Sequence, residues 1–533
     1  MKVRLMQRDS DLDLPPALAG FIAGSAGVRV LEEQETVVRR ALPRHAQALT
    51  QDLELDTLFA AMAAGDRVLL NVVRQAVFAS LIEPQEIVYR QQVLADCLEH
   101  PAVVRQIYDL AVEAIAGERQ NLGLSKWSSP DMILRRSVGV LELFVDVLRR
   151  LRQLADEHGG AFRSEGFTEL FAELSRELDD DYLRTIDGHL RILRFRAGVP
   201  ISAELGKGNR GTRYVLRRSP PRKRGLRGRF FRGGRPSFTY QIADRDEAGA
   251  KALAALRDRG IDLVANALAQ SCDHVLSYFR TLRAELGFYV GCVNLHEYLV
   301  AKGEPTCFPV PEVSGEPSFA CRGLYDVCLS LSVTERVVGN DVTADGKSVV
   351  MVTGANQGGK STFLRSVGLA QLMLQCGMFV AAESFRADVR TGVFTHFKRE
   401  EDATMRSGKL DEELGRMSEI ADDIHVGAIL LFNESFASTN EREGSEIARQ
   451  IIGALRETGA KVFFVTHMFE LANGLFRSPM NDSALFLRAE RQADGSRTFR
   501  LVEGEPLSTS YGEDLYRRIF ADDGDARVVS GSD

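Results

Sequence analysis

Apolar positions along the chain change rhythm as the sequence proceeds. From Leu53 to about Val199 they recur at steps of four and three, as in Leu134, Val138, Leu141, Val145 and Leu148, which sets them on one face of a helix. Glycine and proline are sparse there, so the pattern predicts an all-helical region. The segment "GKGNRGTRYVLRRSPPRKRGLRGRFFRGGRPSF" interrupts it, and helical spacing resumes near Asp246 and runs to about Lys302. Pro305, Pro309 and Pro311 then mark a boundary.

Beyond those prolines the rhythm shortens. The runs "SVVMVT", "AILLF" and "KVFFVT" alternate with longer helical stretches, which predicts a mainly parallel sheet buried on both faces. The expected organisation is an N-terminal segment over 1–50 and a helical domain over 51–304. An insertion at about 205–240 interrupts that domain, an α/β domain occupies 305–520, and a tail covers 521–533.

At 533 residues the chain is too long for one compact core, and 44% hydrophobic with 26% charged residues describes an ordinary soluble protein. The opening "MKVRLMQRDSDLDLPP" lacks the apolar core of a secretory signal, and no run approaches the roughly 18 apolar residues of a membrane span. The seven cysteines are scattered without a C-x-x-C pair, which fits reduced thiols. A cytoplasmic protein without membrane partners is expected.

Charge is unevenly spread. Between Lys207 and Arg235 lie twelve cations and no acidic residue, so the net charge of −7 becomes −19 for everything else. An acidic body with one concentrated basic segment suggests a polyanionic partner at that segment alone.

The chemistry concentrates in the α/β region. Gly354, Ala355, Asn356, Gln357, Gly358, Gly359, Lys360 and Ser361 fit G-x-x-x-x-G-K-S/T between a strand and a helix, the context this phosphate loop requires. Its backbone N–H groups and the helix N-terminus form a nest for phosphates, Lys360 reaches the β- and γ-phosphates, and the Ser361 hydroxyl suits Mg²⁺. Downstream, the strand "AILLF" ends in Asn433 and Glu434, where a magnesium acid and a water-orienting acid are expected. The first of these positions holds an amide, which offers Mg²⁺ a carbonyl oxygen but no charge. A third strand ends in Thr466 and His467, and a histidine there can sense the γ-phosphate or polarise water.

These features together resemble the ATPase of the MutS family of DNA mismatch repair proteins. The family's T-G-P-N-M-G-G-K-S-T is similar to Thr353 through Thr362, with the doubled Gly358 and Gly359 and the preceding Asn356. "TMRSGKLDEELGRMSEI" resembles the family's signature loop, "THMFEL" its T-H-x-x-E-L, and "STSYGEDLYRRIF" its S-Y-G-I segment. The likeness is loose over the helices, where "LIEPQEIVYRQQVLADCLEHP" looks like the family's core.

The resemblance implies a helical core and lever with a clamp inserted into it, followed by a P-loop ATPase domain of the ABC type. It implies ATP and Mg²⁺ as cofactors and a homodimer in which Ser407 reaches the partner's γ-phosphate. Thr362 joins the nucleotide-binding set on the same ground. Where the family has D-E-I-G-R-G-T, this chain has Asn433, Glu434, Ser435, Phe436, Ala437, Ser438 and Thr439, so the magnesium acid and two glycines are replaced. Some 50 residues precede the core, too few for the family's mismatch-reading domain.

The basic segment falls where the family inserts its clamp. Arg217, Arg218, Arg222, Lys223, Arg224, Arg227 and Arg229 suit phosphate contact with duplex or branched DNA, and nothing among them implies base readout. RNA fits the same charge. The expected function is a dimeric, ATP-dependent DNA-binding protein of repair or recombination, with Lys360, Glu434 and His467 in catalysis. Two alternatives stand beside it: a nucleotide-gated scaffold with weak hydrolysis, and an ATPase of the ribosome or structured RNA.

Overall fold

The computed structural model describes residues 2–8, 42–120, 129–196, 198–209, 211–217, 239, 241–313, 317–399, 408–492 and 496–507. They divide into two compact units. One holds residues 1–3, 105–162 and 168–283, and the other holds 4–104, 163–167 and 284–533. Among the described residues no helix is long and apolar enough to cross a membrane.

The chain opens on short helices α1 (Ala46–Asp52), α2 (Leu55–Ala63), α3 (Arg67–Phe78) and α4 (Pro84–Glu99). Longer ones follow: α5 (Pro101–Gln120), α6 (Pro130–His158), α7 (Glu165–Glu177) and α8 (Asp180–Leu193). A two-stranded antiparallel ribbon, β1 (Ile201–Leu205) and β2 (Gly211–Leu216), precedes α9 (Glu247–Ala301), whose 55 residues make a helix about 80 Å long at 1.5 Å per residue.

The α6 stripe behaves as its spacing predicts. Leu134, Val138, Leu141, Val145 and Leu148 are all buried. Ser129 starts this helix by accepting a hydrogen bond from the Met132 N–H, with Pro130 in the first turn, where its missing N–H costs nothing. In the same unit Phe144 packs on Phe279 of α9 at 5.5 Å between ring centroids.

The second unit contains the sheets. After β3 (Val310–Glu312), β4 (Phe319–Leu324), α10 (Val327–Ser332) and β5 (Asn340–Thr343) come β6 (Val349–Thr353) and α11 (Lys360–Gln375). Then follow β7 (Ser384–Asp388), β8 (Val393–Phe397), α12 (Lys409–Asp423), β9 (Ile429–Asn433) and α13 (Glu441–Glu457). The last elements are β10 (Lys461–Val465), α14 (Phe469–Phe476), β11 (Ala484–Arg491) and β12 (Arg497–Glu503).

A six-stranded sheet has the order β12-β11-β6-β10-β9-β8, and only β12 is antiparallel to its neighbour. Every residue of β6, β8 and β10 is buried, as apolar runs between helices demand. A four-stranded sheet of order β3-β7-β4-β5 completes the unit.

The contacts cut across the linear boundary near residue 304. Residues 42–104 and the end of α9 group with the α/β sheets, not with the remaining helices. Side chains explain part of this. Buried Arg90 of α4 donates to the Met6 carbonyl (2.7 Å) and to the Cys376 carbonyl after α11 (3.2 Å). Glu285 of α9 accepts from the Leu5 N–H at 2.6 Å, and burial raises its carboxyl to about 7. Helical periodicity reports which face is apolar but not which distant element covers it.

Candidate nucleotide site

The site is built at the C-terminal ends of β6, β9 and β10. Strand β6 delivers the chain into the loop 354–359, and α11 starts at Lys360. Gly354 and Gly359 adopt φ of +110° and +86°, where a side chain is strained. A Cβ at Gly358 would stand 2.7 Å from the Ala489 Cβ of β11, so that position is closed to any larger residue. Asn356 and Gln357 are exposed at the loop's tip, while Ala355 is buried.

Lys360 is buried, and its ammonium donates to the Gly354 carbonyl at 3.0 Å and the Ala355 carbonyl at 2.8 Å. Burial lowers its pKa to about 8, although the Glu434 carboxylate pulls the other way. One residue on, the Ser361 hydroxyl donates to Asn433 Oδ1 at 2.9 Å. That contact follows from the sheet: Asn433 closes β9, whose residues run in parallel register with β10 beside β6. Thr362 follows in the first turn of α11 and is half-buried.

Glu434 stands next to Asn433, with its N–H bonded to the Val465 carbonyl of β10 (2.9 Å). Its Oε1 lies 2.7 Å from His467 Nε2. That hydrogen bond lowers the Glu434 carboxyl below its ordinary range against the opposing effect of burial, and Lys360 and Lys398 add to it. Three strand ends therefore gather Lys360, Ser361, Asn433, Glu434 and His467. A glycine-rich loop, a cation, two neutral oxygens and a hydrogen-bonded carboxylate meet there.

The donor set suits a Mg²⁺ that arrives with phosphate oxygens, since the Ser361 hydroxyl and the Asn433 amide oxygen already face each other. Neither carries charge. Among the described residues no group of three or more His, Cys, Asp or Glu side chains is placed to hold a metal ion.

The loop after Glu434 departs from expectation in an informative way. Phe436 stands where the family's pattern has glycine, and it keeps a glycine-like backbone with φ +62°; Glu434 has φ +55°. Such conformations cost of order 1–3 kcal/mol and persist only when the surroundings enforce them. Here the Phe436 side chain is fully buried. Gly444 of α13 permits the fit, because a Cβ there would come within 2.3 Å of the Phe436 carbonyl oxygen.

One neighbour had no signal in the sequence. Exposed Phe499 of β12 lies against the phosphate loop, its carbonyl oxygen 3.3 Å from where a Gly359 Cβ would be. Buried Asn340 fixes it there, donating to the Phe499 carbonyl (3.3 Å) and accepting from the Leu501 N–H (2.7 Å). No local motif predicts a strand 140 residues downstream as the loop's neighbour.

Of the remaining expected site residues, Arg217 is exposed at the end of β2, with its Nε donating to Ser202 Oγ at 2.8 Å. Ser407, Arg218, Arg222, Lys223, Arg224, Arg227 and Arg229 lie outside the described residues. Of the insertion expected at about 205–240, the described residues include β2, which pairs with β1 as an antiparallel ribbon.

Two stretches of the chain match known families. Residues 82–302 match the family described as "MutS2 N-terminal domain" and residues 350–520 match "MutS domain V". Over 182 residues the chain is 33% identical to the "DNA mismatch repair protein MutS" of Thermotoga neapolitana, covering 34% of this chain and 23% of that protein. It is 30% identical over 188 residues to "Endonuclease MutS2" of Bacillus velezensis, covering 35% and 23%. It is 28% identical over 198 residues to "MutS protein homolog 4" of Mus musculus, covering 36% and 21%. The matched stretches span less than a quarter of each of these relatives.

Proposed function

Since the chain belongs to the MutS family, we propose that it binds ATP with Mg²⁺, hydrolyses it slowly and uses it to control its hold on DNA. The observation that carries this reading is the convergence of Lys360, the Ser361–Asn433 contact and the Glu434–His467 pair around one phosphate loop. Lys360 would leave the loop carbonyls for the β- and γ-phosphates, which are better acceptors for a buried ammonium. Glu434 would orient the attacking water, and His467 would hold that carboxylate in place and ionised. Mg²⁺, when bound, would neutralise charge developing on the phosphates, with Ser361 and Asn433 as the protein's ligands. Homodimerisation, with Ser407 completing the partner's site, and action in DNA repair or recombination belong to the same reading.

The amide at Asn433 favours one variant, a nucleotide-gated DNA scaffold with weak turnover. Steady-state ATP hydrolysis with and without duplex, branched and single-stranded DNA separates the two. Stimulation by DNA supports the ATPase, and bound but unconsumed ATP supports the scaffold.

For the nucleic acid we infer backbone contact through the basic segment. Replacing Arg217, Arg218, Arg222, Lys223 and Arg224 with Ser is expected to weaken duplex binding and flatten its salt dependence, each lost phosphate contact lowering the log–log slope by roughly 0.9. Fluorescence anisotropy across a salt series checks this. Equal slopes for the two proteins would remove the segment from the interface, and tighter binding to structured RNA than to any DNA would favour the ribosomal alternative.

A further inference from the structure

Ser435 follows Glu434 directly, and its side chain is fully buried against His396 of β8. His396 is itself buried, and each of its ring nitrogens has one partner. Nδ1 lies 2.8 Å from the Ser435 hydroxyl, and Nε2 lies 2.9 Å from the Glu413 carbonyl of α12. A carbonyl only accepts, so Nε2 carries a proton. Burial lowers the ring's pKa to about 4, so the imidazole is neutral at physiological pH and Nδ1 turns a lone pair toward the Ser435 hydroxyl. The same hydroxyl lies 2.5 Å from the His396 carbonyl, a second acceptor for its proton.

Packing reinforces the link. Phe436, one residue further along the loop, stacks on the His396 ring at 5.1 Å and 19°. Ser438 donates to Glu413 Oε1 of α12 at 3.0 Å, and Arg416 of α12 donates to the Phe397 carbonyl beside His396 at 2.9 Å. One imidazole thus joins the loop after β9 to a helix on the other side of it.

We infer that His396 is a positioning residue for hydrolysis: it fastens the loop carrying Glu434 to α12, so the aim of that carboxylate follows the seat of the helix. The inference rests on the ATPase reading of Glu434. It differs from the roles of Lys360, Ser361 and His467 because His396 has no place in the phosphate site itself.

The test uses His396→Phe in the full chain. Phenylalanine keeps the stack on Phe436, and Ser435 retains the residue 396 carbonyl as acceptor, so no buried donor is orphaned. Expected are an unchanged KM, a kcat lowered by about tenfold or more, and faster amide hydrogen exchange over 434–439 in the nucleotide-free protein. His396→Asn keeps an acceptor for Ser435 and loses the link to Glu413; it should fall between wild type and Phe, and it carries the test if the Phe variant does not fold. A kcat within about twofold of wild type, or a fallen kcat with unchanged exchange over 434–439, overturns the inference. Absence of turnover in wild type would refute the ATPase reading and with it any role in hydrolysis, whereas the exchange data alone report whether the ring holds the loop.

Discussion

Lys360→Ala is expected to weaken ATP binding by about 100-fold or more while leaving the protein folded. Its ammonium is buried at the mouth of the loop and donates to two carbonyls there, so nucleotide binding exchanges neutral acceptors for charged phosphates. A charge-assisted pair in a desolvated site is worth roughly 3 kcal/mol or more, which is more than two decades in affinity. The fold should survive because the carbonyls of Gly354 and Ala355 lose only this one side-chain donor. Isothermal titration with ATP checks the affinity and thermal melting checks the fold; unchanged affinity would sink the site assignment.

The same lysine predicts a pH dependence. Burial lowers its pKa in the free protein to about 8, and bound phosphates favour the charged form. Above that pH the lysine must take up a proton to bind. ATP affinity should therefore hold below pH 8 and fall with rising pH above it, approaching about tenfold per unit. Lys360→Ala should lose that slope.

Glu434→Gln is expected to lower kcat by about 10²- to 10⁴-fold, the usual contribution of a positioned base, with ATP affinity nearly unchanged. Glutamine can still pair with His467 across the present 2.7 Å contact, so the loop keeps its shape while the carboxylate's proton-accepting capacity is lost. Single-turnover hydrolysis under saturating ATP isolates this step. A kcat equal to that of wild type would transfer the base role to another group, and a large loss of affinity would make Glu434 a binding residue.

How much of this was legible in the sequence depends on how local the signal is. The strand before Gly354 and the helix after Lys360 follow from apolar runs and a spaced loop. Asn433 and His467 could be placed at strand ends for the same reason, and parallel strands bring such ends together. Their pairings, Ser361 with Asn433 and Glu434 with His467, needed the register between strands. Phe436 looked like a departure from a glycine pattern, but tertiary burial enforces a positive φ that no propensity would predict. Phe499 and His396 carried no motif at all, because each is placed by contacts with elements far along the chain. The grouping of residues 42–104 with the sheets was hidden likewise, since periodicity does not identify partners.

On the proposed reading the protein binds ATP but turns it over slowly, because an amide, Asn433, occupies the position where a carboxylate would meet Mg²⁺. The direct measurement is steady-state ATP hydrolysis by wild type and Asn433→Asp across a magnesium titration. An aspartate there would add full Coulomb attraction to Mg²⁺ beside Ser361, and if that charge is worth roughly 1.4 kcal/mol in the transition state, turnover at limiting Mg²⁺ should rise about tenfold. Slow wild-type turnover that Asn433→Asp raises, with the gain shrinking as Mg²⁺ saturates, is the predicted result. Fast wild-type turnover with no gain from the aspartate would contradict it, and some other acid would then have to hold the metal.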